Sequence, residues 1–161
     1  MMTLTADELN IAIAPPPGAF IIPMERWHLI RLAEDNATDL DVARMQSQAL
    51  DGCAFTAIVH GKVAACWGLV LPWRGLAEGW LIAGPAIKPV AVPFTYGARK
   101  FCDIAAQSLQ LRRIQIHVKN ANVTFMAWAR AAKFKREALL AGYAEDGADV
   151  WLMAKTYGRT T

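Results

Sequence analysis

The spacing of apolar and polar residues changes period several times along the chain, and each change marks an element. Leu9-Asn10-Ile11-Ala12-Ile13-Ala14 alternates and predicts a short strand. Pro15-Pro16-Pro17-Gly18 ends it, since proline fixes φ and carries no N–H. Ala19 to Ile22 predicts a second short strand, stopped at Pro23. Met24 to Glu34 reads as a helix, with Trp27, Ile30 and Arg31 on one side and Leu29, Leu32 and Ala33 on the other. Asn36 and Asp39 interrupt it. Thr38-Asp39-Leu40-Asp41 then has the make-up of an N-cap, and Val42, Met45 and Ala49 recur at helical spacing until Asp51-Gly52.

After Gly52 the period shortens to that of strands. Cys53 to Val59, Lys62 to Leu71 and Glu78 to Ala83 are three β-type runs, joined by His60-Gly61 and by a loop at Pro72-Trp73-Arg74-Gly75. Such a series predicts an antiparallel meander. Gly84 to Pro93, with Pro85, Pro89 and Pro93, reads as irregular. Phe94 to Leu109 predicts a helix with Phe94, Ala98, Phe101, Ala105 and Leu109 on one stripe. Arg113 to Val118 alternates as a strand, and Asn122 caps a helix carrying Phe125, Trp128, Ala129 and Ala132. Glu137 to Tyr143 and Asp149 to Lys155 predict a final hairpin around Glu145-Asp146-Gly147. A meander followed by a strand–helix–strand crossover implies a mixed sheet with helices on both faces.

Composition narrows the class. The chain has 161 residues, of which 55% are apolar and 19% charged, so it is a folded chain with room for a real core. One domain is expected over residues 24–157, with 1–23 an N-terminal extension carrying the first strand and 158–161 a tail. Against 17 Lys and Arg stand 14 Asp and Glu, a balance too mild to imply nucleic-acid binding without a local patch. Cys53, Cys66 and Cys102 are odd in number and form no CxxC pair, which suits buried reduced thiols. His28, His60 and His117 lie far apart, so no metal site is expected. The N-terminus lacks the layout of a secretory signal, and Val63 to Trp73, the longest charge-free part of the most apolar stretch, is too short to span a bilayer. A soluble protein with no membrane partner is the expectation.

The order of elements resembles the GNAT (Gcn5-related N-acetyltransferase) fold, over roughly residues 53–157. His117-Val118-Lys119-Asn120-Ala121-Asn122 through Phe134, then Gly142 to Lys155, looks like that family's strand, Asn-led helix and closing hairpin, with Lys133-Phe134 where Gly-Phe usually stands. The resemblance implies an α/β (α+β) class with a mixed, mostly antiparallel sheet of six to seven strands. A narrower resemblance is to GNAT-like internal virion proteins of short-tailed bacteriophages. It rests on the Asn-led helix, the acidic-Gly hairpin Tyr143-Ala144-Glu145-Asp146-Gly147 and the Trp-containing run Gly79-Trp80-Leu81-Ile82.

A GNAT enzyme holds the coenzyme A pyrophosphate on consecutive backbone N–H groups leading into a helix. The family pattern is Gln/Arg-x-x-Gly-x-Gly/Ala. The stretch taken as its counterpart is Phe94-Thr95-Tyr96-Gly97-Ala98-Arg99, where only Gly97 fits. By this resemblance the cofactor-binding residues are Leu81, Ile82, Tyr96, Gly97, Ala98, Arg99 and Asn122, with acetyl-coenzyme A as acyl donor. Glu78 resembles a common position of the general base. The family's acid, a Tyr seven residues after the Asn, is replaced by Ala129.

Other features point elsewhere. Cys102 with His117 suggests a thiol nucleophile, against which stands the apolar setting of Cys102. Arg112, Arg113, Lys119, Arg130, Lys133, Lys135 and Arg136 form the one basic concentration, either a solvated rim or a face for phosphates or an acidic partner. Of the six Trp, Trp73 and Trp151 are candidates for a partner surface, and Trp27, Trp67, Trp80 and Trp128 for the core. The leading expectation is a GNAT-like phage protein. It would be a virion or assembly component that uses the fold as an interaction module with other phage proteins or with copies of itself, in the host cytoplasm or the particle. The alternative is an acetyl-coenzyme A-dependent N-acyltransferase. A nucleic-acid-associated module is the weaker third.

Overall fold

The computed structural model of the chain describes residues 3–36, 42, 45–46 and 53–158. The helix expected from Thr38 to Ala49 and its Asp51-Gly52 stop lie outside the described residues except at Val42, Met45 and Gln46. Seven strands make one sheet: β1 (Ala19–Pro23), β2 (Ala54–Val59), β3 (Lys62–Trp73), β4 (Leu76–Ala83), β5 (Arg113–Lys119), β6 (Lys135–Leu140) and β7 (Val150–Thr156). Their order is β1-β2-β3-β4-β5-β7-β6. Every neighbouring pair is antiparallel except β4 and β5, which run parallel. The α-helices among the described residues include α1 (Ala6–Ile13), α2 (Arg26–Asn36), α3 (Ala91–Ser108) and α4 (Val123–Ala131).

The first element corrects the sequence expectation. Residues 9–14 are not a strand but most of α1, because Thr5 and Glu8 form a capping box. The Thr5 hydroxyl accepts from the Glu8 N–H, and the Glu8 carboxylate accepts from the Thr5 N–H, both at 3.2 Å. A helix separates the apolar residues that alternation would have aligned. Leu9 is fully buried, while Ile11 is 82% exposed. Ala14, at φ 51°, ends the helix before the prolines. Asn10 then works on the sheet edge: its side chain donates to the Ile21 carbonyl (2.7 Å) and accepts from the Ile21 N–H (2.8 Å). Edge strand β1 is thereby covered by α1.

Two apolar layers flank the sheet. On one face α1, α3 and α4 pack on Ile21, Phe55, Leu69, Ala77, Ile114 and Met153. On the other, Leu29 and Leu32 of α2 meet Ile58, Val63 and Cys66. Other departures from expectation are local. β3 runs on to Trp73, so the loop expected at 72–75 contracts to a turn at Arg74-Gly75, with Gly75 at φ 92°. The stretch 84–93 is not irregular: Pro85–Val90 form a 3-10 turn, and α3 starts at Ala91 with Pro93 in its first turn, where a missing N–H is tolerated. β6 begins at Lys135 and ends at Leu140. Trp27 is not in the core; it is 52% exposed, its indole N–H bonded to Glu25 (2.7 Å).

A polar thread crosses the second layer. The fully buried His28 accepts the Glu25 N–H at Nδ1 (2.9 Å), closing the first turn of α2. The Thr56 hydroxyl approaches the same nitrogen (2.8 Å) and lies 3.3 Å from Cys66 Sγ. Because Nδ1 accepts, the ring proton sits on Nε2, which has no partner. Burial holds the His28 pKa below its ordinary value, against a weaker opposing pull from Glu25. Burial likewise pushes the Cys66 thiol up to about 11.

Two outcomes are expected. Below about pH 6.5 the unfolded chain protonates His28 while the folded chain resists, so stability is full above that pH and declines as pH falls through it. Urea melts at about pH 7.5 and pH 5 measure the decline, and His28→Asn, which keeps an acceptor near Nδ1, makes it shallower. Separately, Lys133 stands after α4 at φ 74°, a left-handed conformation that costs a side-chain-bearing residue energy. Lys133→Gly should raise unfolding free energy by roughly 0.5–1 kcal/mol in the same melts.

Candidate active site

The parallel ladder between β4 and β5 is short. It joins Leu76 to Arg113, Ala77 to Ile114 and Glu78 to Gln115, and there it stops. From Gly79 onward β4 continues only with β3, and from Ile116 onward β5 continues only with β7. The two halves of the sheet part at this point. Where they part, Gly79 leaves room for the Ile116 side chain, which would lie 3.2 Å from a Cβ at that position. The indole of Trp80 lies over Gly68, where a Cβ would sit 2.8 Å from the ring. A cavity of about 570 Å³ occupies the opening.

Its walls are largely apolar, with a cluster of aromatic rings among them. Trp67 meets Phe94 and Phe101 edge-on, with centroids 6.1 and 6.0 Å apart, and Trp128 meets Phe94 and Phe125 at 6.2 and 5.2 Å. The buried indole N–H groups of Trp80 and Trp128, two rings that line the cavity, have no hydrogen-bond partner. Polar chemistry comes from the strands at the root of the opening. Glu78 lies opposite Gln115, whose Nε2 donates to Glu78 Oε1 (2.8 Å). Arg113 Nε donates to Gln115 Oε1 (2.8 Å), and its two outer nitrogens donate to Glu137 (2.9 and 2.6 Å). Because Arg113 occupies the amide oxygen, Gln115 presents its NH₂ to Glu78 and fixes that carboxylate as an acceptor. The Arg113 hydrogen bonds hold Glu137 below the usual carboxylate range.

Further along β5 the His117 ring stacks on Tyr143, 5.0 Å between centroids and 9° between planes, and both line the cavity. Lys119 pairs with Asp146 (2.8 Å), tying the loop after β6 to the end of β5. The alternation of Arg113, Gln115, His117 and Lys119 along β5 is visible in the sequence. Their common face with Glu78 and Trp80 depends on the parallel register, which has no local signal.

Of the residues expected at the site, Glu78, Leu81, Gly97 and Ala98 line the cavity. Ile82 packs instead against the layer under α2. Tyr96, Gly97, Ala98 and Arg99 lie inside α3, where backbone N–H groups bond to carbonyls four residues back. Gly97 accommodates Ile13 of α1, 3.2 Å from where its Cβ would be. Tyr96 is exposed beneath the Arg99 guanidinium (5.1 Å), and Arg99 Nε donates to the Ala131 carbonyl (2.7 Å). Asn122 caps α4, accepting the Phe125 N–H (3.0 Å).

The remaining candidates lie apart or are engaged. Trp73 is 65% exposed at the end of β3. Trp151 is half-buried, donates to Asn120 (2.9 Å) and is covered by Arg136 (4.8 Å). Of the basic residues, Arg113 and Lys119 hold carboxylates, and Arg112 packs on Gly75. Burial lifts the Cys102 thiol to about 11, which removes it as a thiolate nucleophile near neutral pH. Among the described residues, no three His, Cys, Asp or Glu side chains gather as a metal site would need, and no helix is long and apolar enough to cross a membrane.

The residues fit coenzyme A in one part only. The aromatic cleft suits the apolar arm of a thioester, whereas the first turn of α3 does not suit a pyrophosphate. The Ala91 N–H already bonds to the Lys88 carbonyl, and Pro93 has none.

No family model matches the chain, and no curated protein matches it. Solved structures do. Ard1 from Thermoplasma volcanium superposes with a TM-score of 0.74 at 13% identity, over 88% of this chain and 99% of that one. RimL, the ribosomal L7/L12 alpha-N-protein acetyltransferase solved with coenzyme A, gives 0.73 at 15% identity over 89% and 97%. A GNAT-family acetyltransferase from Bacillus anthracis gives 0.69 at 11% over 86% and 95%. With a mixed seven-stranded sheet parted at β4 and β5, the chain has the fold of the GNAT acetyltransferases.

Proposed function

We propose that the cleft carries out acyl transfer from a thioester to an amine. The observation that supports this most is Glu78, fixed as a hydrogen-bond acceptor by Gln115 at the root of an apolar cleft. In this reading the amine nitrogen attacks the thioester carbonyl, a C–N bond forms, and the C–S bond breaks. Glu78 takes the proton that the amine releases. Gln115 keeps the carboxylate aimed into the cleft, and the apolar walls keep water from competing for the acyl group. Ala129, fully buried on α4, has no proton to give the departing sulfur. Tyr143 and His117, across the cavity, are groups able to return one. Donor and acceptor identity belong to the proposal, as do the roles of Leu81 and Ala98 along the donor path.

The non-catalytic reading, an interaction module within a phage particle, draws on Ala129 and Pro93. RimL and the Bacillus anthracis protein are acetyltransferases and bring nothing to a virion role.

Thiol release from acetyl-coenzyme A and from shorter acetyl thioesters, followed over a panel of primary amines, tests the reading. Amine-dependent release is expected, and Glu78→Gln should reduce it about 100-fold with thioester binding retained. Gln115→Leu should give a smaller loss together with a displaced pH profile. The same turnover in Glu78→Gln as in the unmodified protein, or no release with any amine, overturns the proposal.

A further inference from the structure

We infer that the cleft recognises its donor through the acyl-pantetheine arm alone, so that a thioester without a nucleotide diphosphate serves it as well as acyl-coenzyme A. This rests on the acyl-transfer reading and concerns which part of the donor is held. A diphosphate is held by several backbone N–H groups in succession, leading into a helix start. The segment that leads from β4 into α3 offers no such succession. The Gly84 N–H bonds to the Ala64 carbonyl (2.8 Å), the Ile87 N–H to the Gly84 carbonyl (3.2 Å), and the Ala91 N–H to the Lys88 carbonyl. Pro85, Pro89 and Pro93 have no N–H at all. The other N–H groups from 86 to 90 belong to the 3-10 turn, and Val92 stands between the bonded Ala91 and Pro93, so no run of adjacent free donors leads into α3.

Side chains do not make up the loss. Lys88 is the one cation in that segment. Of the two cations of α3 that could supply charge, Arg99 is turned to the Ala131 carbonyl and the Tyr96 ring, and Lys100 stands more than two turns in from the helix start at Ala91. Glycine, which would let a phosphate approach the backbone closely, is absent from 85–93. The cavity beyond this segment is the opposite in character. Phe94, Trp67, Phe125 and Trp128 line a space of about 570 Å³, a size that accepts an acyl group and the slender arm behind it. The unpartnered indole N–H groups of Trp80 and Trp128 are donors suited to the amide carbonyls of such an arm. Recognition has therefore moved from the anionic end of the donor to its apolar end.

Titration calorimetry of the unmodified protein with S-acetylpantetheine and with acetyl-coenzyme A decides this. The two dissociation constants should agree within about threefold, and acetyl-coenzyme A binding should vary little between about 0.05 and 0.3 M salt. Pro93→Ala restores one N–H, and Ala91→Gly with Pro93→Gly also opens the backbone. Either variant should tighten acetyl-coenzyme A about tenfold while leaving S-acetylpantetheine unchanged. If the unmodified protein binds acetyl-coenzyme A ten times or more tighter than S-acetylpantetheine, the inference falls and the acyl-transfer reading stands. If neither thioester binds, both fall.

Discussion

Three residue pairs of parallel ladder hold the two halves of this sheet together, and the shortness of that ladder governs the molecule. Parallel strands need a long crossover between them, and here it is the 3-10 turn followed by α3. The crossover leaves β4 at its open end and returns to β5 at its closed end, so α3 spans the opening on one face. Ala77, Ile114 and Ile116 bury against that helix and fix the closed end. Past Glu78 the facing edges of the two strands have no ladder between them. The cavity is the direct result of where pairing ends, and its walls are the largely apolar residues on either side.

The two sides of the opening differ in how they handle charge. On the face with Glu78, polar groups run without a break from Glu137 through Arg113 and Gln115 to the carboxylate in the cleft. Each group has its partner, which keeps the Glu78 carboxyl oriented beside apolar walls. On the α3 side, prolines and bonded N–H groups leave an almost neutral approach. A carboxylate so held suits a proton-accepting role, while the approach beside α3 presents little to a diphosphate. The fold is that of the GNAT acetyltransferases.

Much of the architecture was legible before the structure. The meander showed in the short runs from Cys53 to Ala83, and the Asn122 cap and the β5 alternation were read from local pattern. The failures have physical reasons. Leu9 to Ala14 alternates like a strand, yet a capping box three residues upstream selects a helix, since cap hydrogen bonds act before burial decides. Three prolines made 84–93 look irregular, although Pro85 starts the 3-10 turn and Pro93 lies in the first turn of α3, where a missing N–H is tolerated. Trp27 was expected in the core because it is large and apolar, but a bond to Glu25 holds its indole at the surface. At the site, Glu78 was named through the family resemblance, at the start of a strand run, and it lines the cavity. Gln115 and the stacked His117–Tyr143 pair were not, since strands separated by an entire helix carry no mark of their register.

The sequence by itself determined the succession of elements, the sheet with helices on both faces, the buried cysteines and the cap on α4. All of these follow from interactions within a few residues or from the period of apolar positions. Tertiary structure alone decided that β4 and β5 pair for three residues and then part, that Gln115 lies opposite Glu78, and that Arg113 turns the Gln115 amide toward the carboxylate. It also decided that α3 starts at Ala91, before the stretch the apolar stripe marks, which sets Tyr96 to Arg99 back from the helix start. These depend on which atoms of distant segments meet, and that is set only when the two halves of the sheet pack on a common core.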